Sequence, residues 1–445
     1  MTIQPAENKL KIAIIGTGPG GLAAIINLSR LPFVELSAYD QASELREVGA
    51  GISINQNTWR HLQLLGAADA IEQFNLRGDG TKVDSEQRNG ITGELLFSRL
   101  QTVDPNIPAR SRIERYKLQK ALLDQIPAGF IKLSKRLSTI IELSKGVQLS
   151  FEDGTTAGPF DLLIGADGIR SAVRKHSFPD HKLSYTGKVA YRTLIPQSAV
   201  AHIPNIPKSS CFWHAKDTHV YTDPLDNGLF EIATRASETE ESVKKVSWGQ
   251  KIKRDQVVHH YDEYVDTIRQ IIAVPDEWLE FAMFGGPRLE SVISNNRIAL
   301  LGDASHPLSG AFGSGAAFAF EDAYVLAKAL AYTKAKGEPI GEALKLYDEV
   351  RSPHYKGLYA ILNGFGSNAK DIQASSPSLD ENEFINERTR RNWAANNSWI
   401  YEYDVTKVWK EHIQTLEASK DFLKLDLAQN DETGQKPLPQ IPVSA

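Results

Sequence analysis

The sequence predicts an α/β protein in which a Rossmann-like domain is interrupted by a second, sheet-based domain and followed by a helical C-terminal tail. Three observations predict this class. A strand, a glycine-rich turn, a helix and a second strand follow one another over 11–40. Two later apolar strands each end in a turn that carries an aspartate, at 161–174 and at 300–304. Because ligands bind beyond the carboxyl ends of strands in open α/β sheets, the three turns predict one extended site.

The size and charge of the chain narrow the class further. A chain of 445 residues is long enough for two or three domains. Its 50 basic and 55 acidic residues are well mixed, so it offers no basic surface for nucleic acid or an anionic membrane. A single cysteine, Cys211, excludes an internal disulfide and a thiolate metal cluster. Because the apolar runs are short, we expect a cytoplasmic protein that acts on a small molecule.

Local patterns predict the domain boundaries. Short strands recur at 189–196, 220–224 and 228–235, which indicates a separate sheet. The polar, glycine-rich stretch 76–110 has no clear period and is interpreted as an insertion or an excursion of the chain. The predicted segments are the first part of the Rossmann-like domain at 1–180, the sheet-based domain at 181–290, the second part of the Rossmann-like domain at 291–375, and the helical tail at 376–445.

The first turn fits the dinucleotide fingerprint G-x-G-x-x-G in its required context, between a strand and a helix. Gly16 permits the tight turn, Gly18 lets the backbone approach a pyrophosphate, and Gly21 lets helix and strand pack closely. Asp40 closes the second strand, where a carboxylate accepts a ribose 2′-hydroxyl and repels a 2′-phosphate. FAD or NAD is therefore favoured over NADP, although a solvated aspartate at a strand end is the alternative.

A second glycine loop favours FAD over NAD. This loop spans 45–52 and places Arg46 and Gly51 where a longer cofactor arm would pass. A nicotinamide site needs no such loop. The alternative interpretation is an ordinary glycine turn.

The turn at 161–174 predicts another ligand contact. Asp167 and Gly168 lie at a strand end, and Arg170 and Arg174 follow at helical spacing. Asp167 is also expected to cap the helix that follows, which is compatible with ligand binding. Capping alone does not explain the two arginines.

The same logic recurs at Gly302 and Asp303, where the carboxylate is a natural acceptor for the hydroxyls of a ribityl chain. The next loop carries Gly313, Gly315 and Ala316 and opens a helix, whose N-terminus would stabilise negative charge on a reduced flavin. Tight helix packing is an alternative reason for the alanine, but a weak one for the glycines.

Metal and nucleophilic chemistry find little support in the sequence. The histidines His259, His260, His214 and His219 lack a close set of carboxylate or thiolate ligands, and no His-Glu-x-x-His pattern occurs. There is also no Gly-x-Ser-x-Gly nucleophile elbow. We therefore expect no metal ion.

Taken in order, the glycine-rich turn, the 161–174 stretch and Gly302-Asp303 resemble the motifs of FAD-dependent aromatic hydroxylases, the class A flavoprotein monooxygenases. The chain is most similar to salicylate and hydroxybenzoate hydroxylases, including fungal ones, over about 11–409. The resemblance implies a para-hydroxybenzoate hydroxylase type of FAD-binding domain. It also implies bound FAD, a small aromatic substrate, molecular oxygen, and NADH or NADPH as cosubstrate.

The resemblance assigns roles to several side chains. Arg115 would contact the flavin, Asp167 would bind the pyrophosphate region and assist NAD(P)H, and Asp303 would bind the ribityl chain. Arg192 lies in a segment similar to the family's substrate strand and is the expected anchor for a carboxylate or phenolate. His219 is a candidate acid/base.

His214 is the second candidate for the acid/base role. Two positions depart from the family pattern. Asp223 stands where relatives often carry tyrosine, and Gly310 replaces a proline ahead of the flavin loop. Both are expected to border the substrate pocket, which makes Asp223 a further candidate for catalysis and leaves the ring orientation open.

The function implied by the resemblance is hydroxylation of a small phenolic acid, salicylate or another hydroxybenzoate, through a flavin C(4a)-hydroperoxide. Attack at the carbon that bears the carboxylate would release that group. One alternative is the same chemistry on a larger phenol, polyketide or quinone precursor. A second alternative is a flavin-binding scaffold without turnover.

Overall fold

The computed structural model describes residues 9–45, 51–74, 83–100, 110–225, 228–239, 249–308, 310–393 and 399–433, with side chains up to residue 419. The helices are α1 (Pro19–Ser29), α2 (Gln56–Leu65), α3 (Ala68–Glu72), α4 (Arg115–Leu123), α5 (Ala172–Ser177), α6 (Asp266–Ala273), α7 (Gly315–Ala335), α8 (Ile340–Ser375), α9 (Glu381–Trp393), α10 (Trp399–Glu402) and α11 (Val405–Thr433). The strands are β1 (Leu10–Ile15), β2 (Val34–Tyr39), β3 (Gly51–Ile54), β4 (Val83–Asn89), β5 (Leu95–Leu100), β6 (Ser111–Glu114), β7 (Ile131–Lys132), β8 (Leu137–Leu143), β9 (Gly146–Phe151), β10 (Thr156–Phe160), β11 (Leu162–Gly165), β12 (Ser184–Pro196), β13 (Ser210–His214), β14 (His219–Pro224), β15 (Leu229–Ser237), β16 (Gln250–Lys253), β17 (Glu277–Gly285), β18 (Ile293–Ser294) and β19 (Ile298–Leu300).

The first sheet brings the three predicted turns to one edge. Its strands lie in the order β18-β19-β11-β1-β2-β7. β1 pairs in parallel with β2 and β11, and β11 pairs in parallel with β19. All four residues of β11 and the last four of β1 are buried, which accounts for their continuous apolar sequences. Since parallel strands end at the same edge, the turns that follow β1, β11 and β19 are neighbours.

The second sheet has the order β16-β17-β12-β15-β14-β13-β4-β5 among the described residues. The stretch interpreted as an insertion supplies β4 and β5, and β4 joins this sheet through a parallel pairing with β13. The predicted fold class is therefore confirmed: an α/β domain with a sheet-based second domain. The domain boundaries stay predictions.

The second sheet separates an apolar face from a polar one. On one side, Trp213, Ile232 and Trp278 form a buried core with Tyr261 and with Ile268 of α6. Because side chains alternate along a strand, the intervening residues of β12 to β15 lie on the other side. That other face carries most of the charged groups described below, and it is joined to β3 of the first domain.

The chain ends in helices, as predicted. α8, α9 and α10 belong to a compact unit that spans Met1–Tyr403, and α11 belongs to a second unit, Asp404–Ala445. Among the described residues, no helix combines the length and the apolar character needed to cross a membrane.

Candidate active site

The turn between β1 and α1 leaves room for a ligand at one glycine only. A Cβ at Gly21 would lie 2.0 Å from the carbonyl oxygen of Gly16, and a Cβ at Gly16 would lie 2.4 Å from that of Ala166. Packing within the protein therefore requires glycine at these two positions. A Cβ at Gly18 would meet no atom within 4 Å. The space beside Gly18 is open, as a bound pyrophosphate would need.

Asp40 follows β2, and its carboxylate holds the glycine-rich turn. Oδ2 accepts hydrogen bonds from the backbone N–H and the hydroxyl of Thr17, both at 2.7 Å. Oδ1 accepts one from the backbone N–H of Ala42 at 2.8 Å. A carboxylate offers about four acceptor sites, so capacity remains for a ribose hydroxyl.

Two helices begin at this edge without a side-chain cap. The N-cap residues of α1 and α7 are Gly18 and Ser314, neither makes a capping hydrogen bond, and the first turns hold no acidic residue. The N–H groups and the positive ends of both helix dipoles are thus available to an anionic ligand. A Cβ at Gly315 would approach only the Asp303 carboxylate, at 3.7 Å. These features fit a long, anionic dinucleotide such as FAD.

Asp167 lies in the turn after β11 and supports the start of α5. Its Oδ2 accepts hydrogen bonds from the backbone N–H groups of Ala172 at 2.7 Å and Val173 at 3.2 Å. Ser171 is the N-cap residue, and its hydroxyl donates to Asp167 Oδ1 at 2.5 Å. Burial raises the pKa of Asp167 even though these hydrogen bonds stabilise the carboxylate. Asp167 therefore does cap the helix, together with Ser171.

Arg174, one of the two arginines in the 161–174 stretch, has a structural role. Its buried guanidinium donates hydrogen bonds to the carbonyl oxygens of Asp303 at 3.0 Å, Ala304 at 2.9 Å and Ile169. The side chain thus ties the turn after β11 to the turn after β19. Arg170 is exposed on the surface, where it lies over a neighbouring aromatic ring. Gly168 has a φ of 74°, a conformation that favours glycine.

A buried ion network supports the turn that carries Gly302 and Asp303. The backbone N–H of Gly302 donates to Asp322 Oδ2 at 2.8 Å. The same carboxylate accepts hydrogen bonds from Arg351 Nε at 2.7 Å and from the Tyr355 hydroxyl at 2.6 Å. Arg351 also pairs with Glu321 at 2.9 Å. Since these side chains are buried, the network fixes the position of the turn against α7 and α8.

Strand register places the predicted substrate residues on one face of the second sheet. Arg192, Ala233, Tyr221 and Phe212 are directly paired across β12, β15, β14 and β13. Residues two positions away along each strand share this face. A second row on this face consists of Glu231, Asp223 and Ser210. A third row, on the other side of the first, consists of Arg235, His219 and His214. All four candidates for catalysis therefore lie on the same face.

Two arginines on this face flank a small residue. Arg192 of β12 pairs directly with Ala233 of β15, and Arg235 lies two positions further along β15 on the same face. Among the described residues, neither arginine forms a salt bridge, and Arg235 donates one hydrogen bond to the carbonyl oxygen of Gly310 at 3.3 Å. Burial and the charge of Arg192 lower the pKa of Arg235 to about 10. Two partly buried, repelling cations form a site suited to an anion.

The two histidines on this face are neutral near pH 7. Burial, with help from Arg235, lowers the pKa of His219 well below its usual range. Burial also lowers the pKa of His214 to about 3, and its Nε2 lies 2.7 Å from the side-chain oxygen of Gln87. A neutral imidazole has one donor and one acceptor nitrogen. His219 can therefore accept or donate a hydrogen bond at a substrate hydroxyl.

Asp223 belongs to a polar cluster at the opposite end of the same face. Its Oδ2 accepts hydrogen bonds from Ser210 at 2.6 Å and from Tyr221, and it lies 3.6 Å from Arg112 Nε and 3.9 Å from Arg110. Burial raises the pKa of Asp223, although both arginines oppose that shift. The carboxylate is thus already engaged by protein groups.

Glu231 links the sheet face to the first domain. Its fully buried carboxylate pairs with Arg112 and accepts a hydrogen bond from the backbone N–H of Gly51 at 3.2 Å. Gly51 begins β3, which pairs with β6 just before Arg115. Burial lowers the pKa of Arg192, and the charges of Arg112 and Arg115 add to this shift. The loop with Arg46 lies outside the described residues.

A series of aromatic rings, here called the aromatic wall, runs from the sheet face to α8 and α9; its members are Phe212, Trp393, Phe365 and Phe312. Phe212 packs against Tyr221 with ring centroids 4.7 Å apart and against Trp393 of α9 at 6.2 Å. Trp393 lies 5.0 Å from Phe365 of α8, which lies 6.3 Å from Phe312. The loop at Phe312 is strained, because this residue has a φ of 66°. These ring contacts connect the sheet face, the loop at Phe312 and the two helices.

The comparisons with known proteins agree with this geometry. The profile of the family described as FAD binding domain matches residues 9–360. The chain belongs to this family. The protein is an FAD-dependent aromatic monooxygenase, related to salicylate hydroxylase.

Two related enzymes and one solved structure are similar to this monooxygenase. It is 28% identical over 369 residues to salicylate hydroxylase of Pseudomonas putida, which covers 77% of this chain and 82% of that protein. It is 29% identical over 436 residues to 6-methylsalicylate 1-monooxygenase of Aspergillus terreus, which covers 90% and 91%. The solved structure of a salicylate hydroxylase substrate complex is similar in fold, with a TM-score of 0.73, 23% identity, and coverage of 91% of this chain and 98% of that one.

The monooxygenase has site residues that its sequence motifs did not indicate. Arg235 and Glu231 alternate along β15 with buried apolar residues, so the period of two was visible, but the identity of the inward face was not. Phe365 and Trp393 lie far along the chain on helices. Asp322 follows Glu321 in a helix, with no pattern that marks either as buried.

Proposed function

We propose that this aromatic monooxygenase hydroxylates a small phenolic acid and takes its electrons from NADH or NADPH. The observation that carries the proposal is the pair of cations, Arg192 and Arg235, beside the small Ala233. A substrate carboxylate would relieve the repulsion between them and would match the planar guanidinium fork. The named activities of the two related enzymes, on salicylate and on 6-methylsalicylate, support this class of substrate.

The phenol group would be activated by the same face. The nearby Arg192 and Arg235 favour the phenolate, so the substrate can bind as the phenolate with its proton released to solvent, and the neutral His219 can hydrogen-bond to the phenolic oxygen. Deprotonation makes the ring carbons richer in electrons. Bound FAD supplies the activation of oxygen. The aromatic wall around Phe212 and Trp393 would hold the ring in place and keep water out.

The overall reaction balances with these groups. One atom of oxygen enters the ring, the other leaves as water, and the reduced nicotinamide supplies two electrons as a hydride. Where the attacked carbon bears the carboxylate, carbon dioxide leaves as the ring regains aromaticity. Asp167, at the cofactor edge, is the side chain proposed to assist the nicotinamide.

A larger phenolic substrate is the second candidate, and a cleft favours it. This cleft, of about 610 Å³, is lined by Arg110, Arg112 and Asp223 on its polar side and by apolar residues such as Ile203 and Phe230 on the other. It adjoins the end of the sheet face that holds Asp223. A phenol with an apolar extension could use both spaces.

Substrate-stimulated cofactor oxidation separates these candidates. The purified, FAD-loaded enzyme is mixed with NADH or NADPH, and oxidation is followed with salicylate, other hydroxybenzoates, the same phenols without the carboxylate, and larger prenylated phenols. Products are identified by mass spectrometry. We expect the fastest coupled oxidation with a hydroxybenzoate. Faster, coupled turnover of an acid-free or prenylated phenol would reject the phenolic acid.

Substitution of the two arginines tests the carboxylate site directly. Arg192→Ala and Arg235→Ala should each raise the KM for the acid by about 10–100-fold, since a hydrogen bond between charged groups contributes about 1.5–3 kcal/mol. Turnover of a phenol without the carboxylate should change little in KM. Arg269→Ala, on the exposed surface of α6, is the matched control. Equal losses for acid and acid-free phenol would contradict a carboxylate contact.

A further inference from the structure

A cluster of histidine and glutamate side chains lies outside the active site. Glu238 directly follows β15, and its backbone N–H donates a hydrogen bond to the carbonyl oxygen of Gly187 at 3.2 Å. His259 and His260 belong to a short 3-10 helix at Val258–Tyr261. Glu238 is about twenty positions away from these histidines in the sequence. The fold brings the three side chains together.

The donor atoms of this cluster lie at the separation that a metal ion needs. One ligand atom from each of Glu238, His259 and His260 lies within 4.8 Å of the other two. Glu238 Oε1 is 2.9 Å from His260 Nε2, and the two imidazole centroids are 4.0 Å apart. Zinc binds histidine nitrogen and carboxylate oxygen at about 2.0–2.2 Å, which places tetrahedral ligands about 3.3 Å from one another. Small side-chain rotations would therefore complete the site.

A neighbouring hydroxyl also supports the cluster. The hydroxyl of Tyr191 donates to Glu238 Oε1 at 3.2 Å and would orient this carboxylate from behind. A bound dication would offset the charge of the Glu238 carboxylate.

We propose that Glu238, His259 and His260 bind a divalent transition-metal ion, with Zn²⁺ as the best match. Two imidazole nitrogens and one carboxylate oxygen suit zinc, nickel or copper, whereas Mg²⁺ and Ca²⁺ prefer all-oxygen sites. A water molecule would occupy the fourth position of a tetrahedral ion.

The proposed metal is structural and does not take part in the oxidation. Tyr191, which contacts the cluster, belongs to the buried apolar core of the sheet, whereas Arg192 faces the substrate side. The strand alternation thus puts the cluster and the substrate on opposite faces. A bound ion would join the end of β15 to the 3-10 helix at Val258–Tyr261 and so stabilise this edge of the sheet.

The chain contains a matched control for an ordinary ion pair. His176 Nε2 lies 3.1 Å from Glu142 Oε1, a pairing similar to that of His260 with Glu238. This second pair is not among the three-ligand groups found in the described residues. If a histidine–glutamate contact were sufficient for metal binding, both places would bind zinc alike.

The test uses the untagged, FAD-loaded enzyme after removal of metals by a chelator. Zn²⁺, Ni²⁺ and Mg²⁺ are titrated by calorimetry, bound metal is measured by atomic absorption after dialysis, and thermal unfolding is followed with and without each ion. We expect saturable binding of one Zn²⁺ per chain, a higher unfolding temperature with Zn²⁺, and neither effect with Mg²⁺. Absence of saturable Zn²⁺ binding would overturn the proposal.

Variants locate the ion. His259→Ala and Glu238→Gln should each weaken Zn²⁺ binding about tenfold or more and remove most of the thermal effect. His176→Ala should leave both unchanged. Retained flavin absorbance in each variant shows that the protein is still folded. If His259→Ala binds Zn²⁺ as the parent does, or if His176→Ala removes the binding, the assigned ligands are wrong.

Discussion

Burial decides the charge of individual side chains around the substrate face. His214 and His219 are held neutral there. Arg235 stays charged because its lowered pKa of about 10 is still far above neutrality, and an arginine such as Arg192 keeps its charge in proteins at neutral pH. The substrate face is therefore cationic, with neutral bases beside the cations. From the sequence alone, Arg192 was predicted through its resemblance to a family strand, but the second cation was not. Arg235 gained its role from the register between β12 and β15.

Because His214 is buried in its neutral form, we predict that the free energy of unfolding decreases in acid. Below about pH 6.5 the unfolded chain protonates this imidazole while the folded one does not, so stability is lost as the pH falls from 6.5 towards the lowered pKa of about 3. At pH 5.0 the loss from this group is about 2 kcal/mol. His214→Gln should remove that part of the pH dependence. The measurement is urea unfolding of the parent and the variant at pH 7.5 and 5.0.

The exposed His202 provides the control for this pH effect. His202→Gln should unfold like the parent at both pH values, because this side chain is exposed and is not part of the buried sheet face. If the difference in stability between parent and His214→Gln were the same at pH 7.5 and 5.0, the imidazole would not be buried in its neutral form.

At the scale of elements, the cofactor edge depends on helices whose first N–H groups have no side-chain cap. The β1–α1 unit was predictable because its strand, glycines and helix are contiguous in sequence, so local spacing defines them. The same holds for the turn after β11. The aromatic wall was not predictable in this way, since Phe212, Phe365 and Trp393 come from β13, α8 and α9. Only the packing of these elements brings the rings together.

Two glycines in this unit should respond differently to the same substitution. Gly18→Ala meets no protein atom within 4 Å, so the variant should fold, yet its methyl group would occupy the space for the pyrophosphate. We expect FAD affinity to fall by about tenfold or more, as fits a lost or displaced charge-assisted contact. Gly21→Ala places its Cβ 2.0 Å from the Gly16 carbonyl oxygen and should destabilise the fold itself.

Flavin titration of the apoprotein and circular dichroism measure the two effects separately. Gly18→Ala should retain the parent's far-UV spectrum and unfolding temperature without FAD, whereas Gly21→Ala should lose both. Parent-like FAD affinity in a folded Gly18→Ala protein would show that the pyrophosphate does not pass over this turn.

At the scale of the whole molecule, a buried ion network joins the two parts of the Rossmann-like domain. Asn57 of α2 donates to Glu321 of α7 at 3.0 Å, and Arg351 of α8 pairs with both Glu321 and Asp322. Burial raises the pKa of Glu321 to about 7, so this group can take up a proton if its partner is lost. The Gly302 turn is held by the same network, which couples cofactor binding to the global fold.

Removal of one charge from this network should destabilise the protein more than removal of both charges of an ion pair. Arg351→Met leaves the buried Asp322 without its cation and should lower the free energy of unfolding by about 3–5 kcal/mol. The double variant Asp322→Asn/Arg351→Met should be less destabilised, because it removes both charges of that pair. Denaturant unfolding and FAD release report the two effects. A double variant less stable than Arg351→Met would mean that hydrogen bonds of Asp322 outweigh its charge.

Local residue spacing was enough to predict the fold class and the flavin chemistry, because each motif is a contiguous strand, turn and helix. The sequence also indicated one substrate-side cation, Arg192. The tertiary structure decided what surrounds that cation: the partner Arg235, the neutral histidines and the aromatic wall. It also joined Glu238 to His259 and His260. These arrangements depend on strand register, on which face is buried, and on contacts between distant segments, and none of these is set by local spacing.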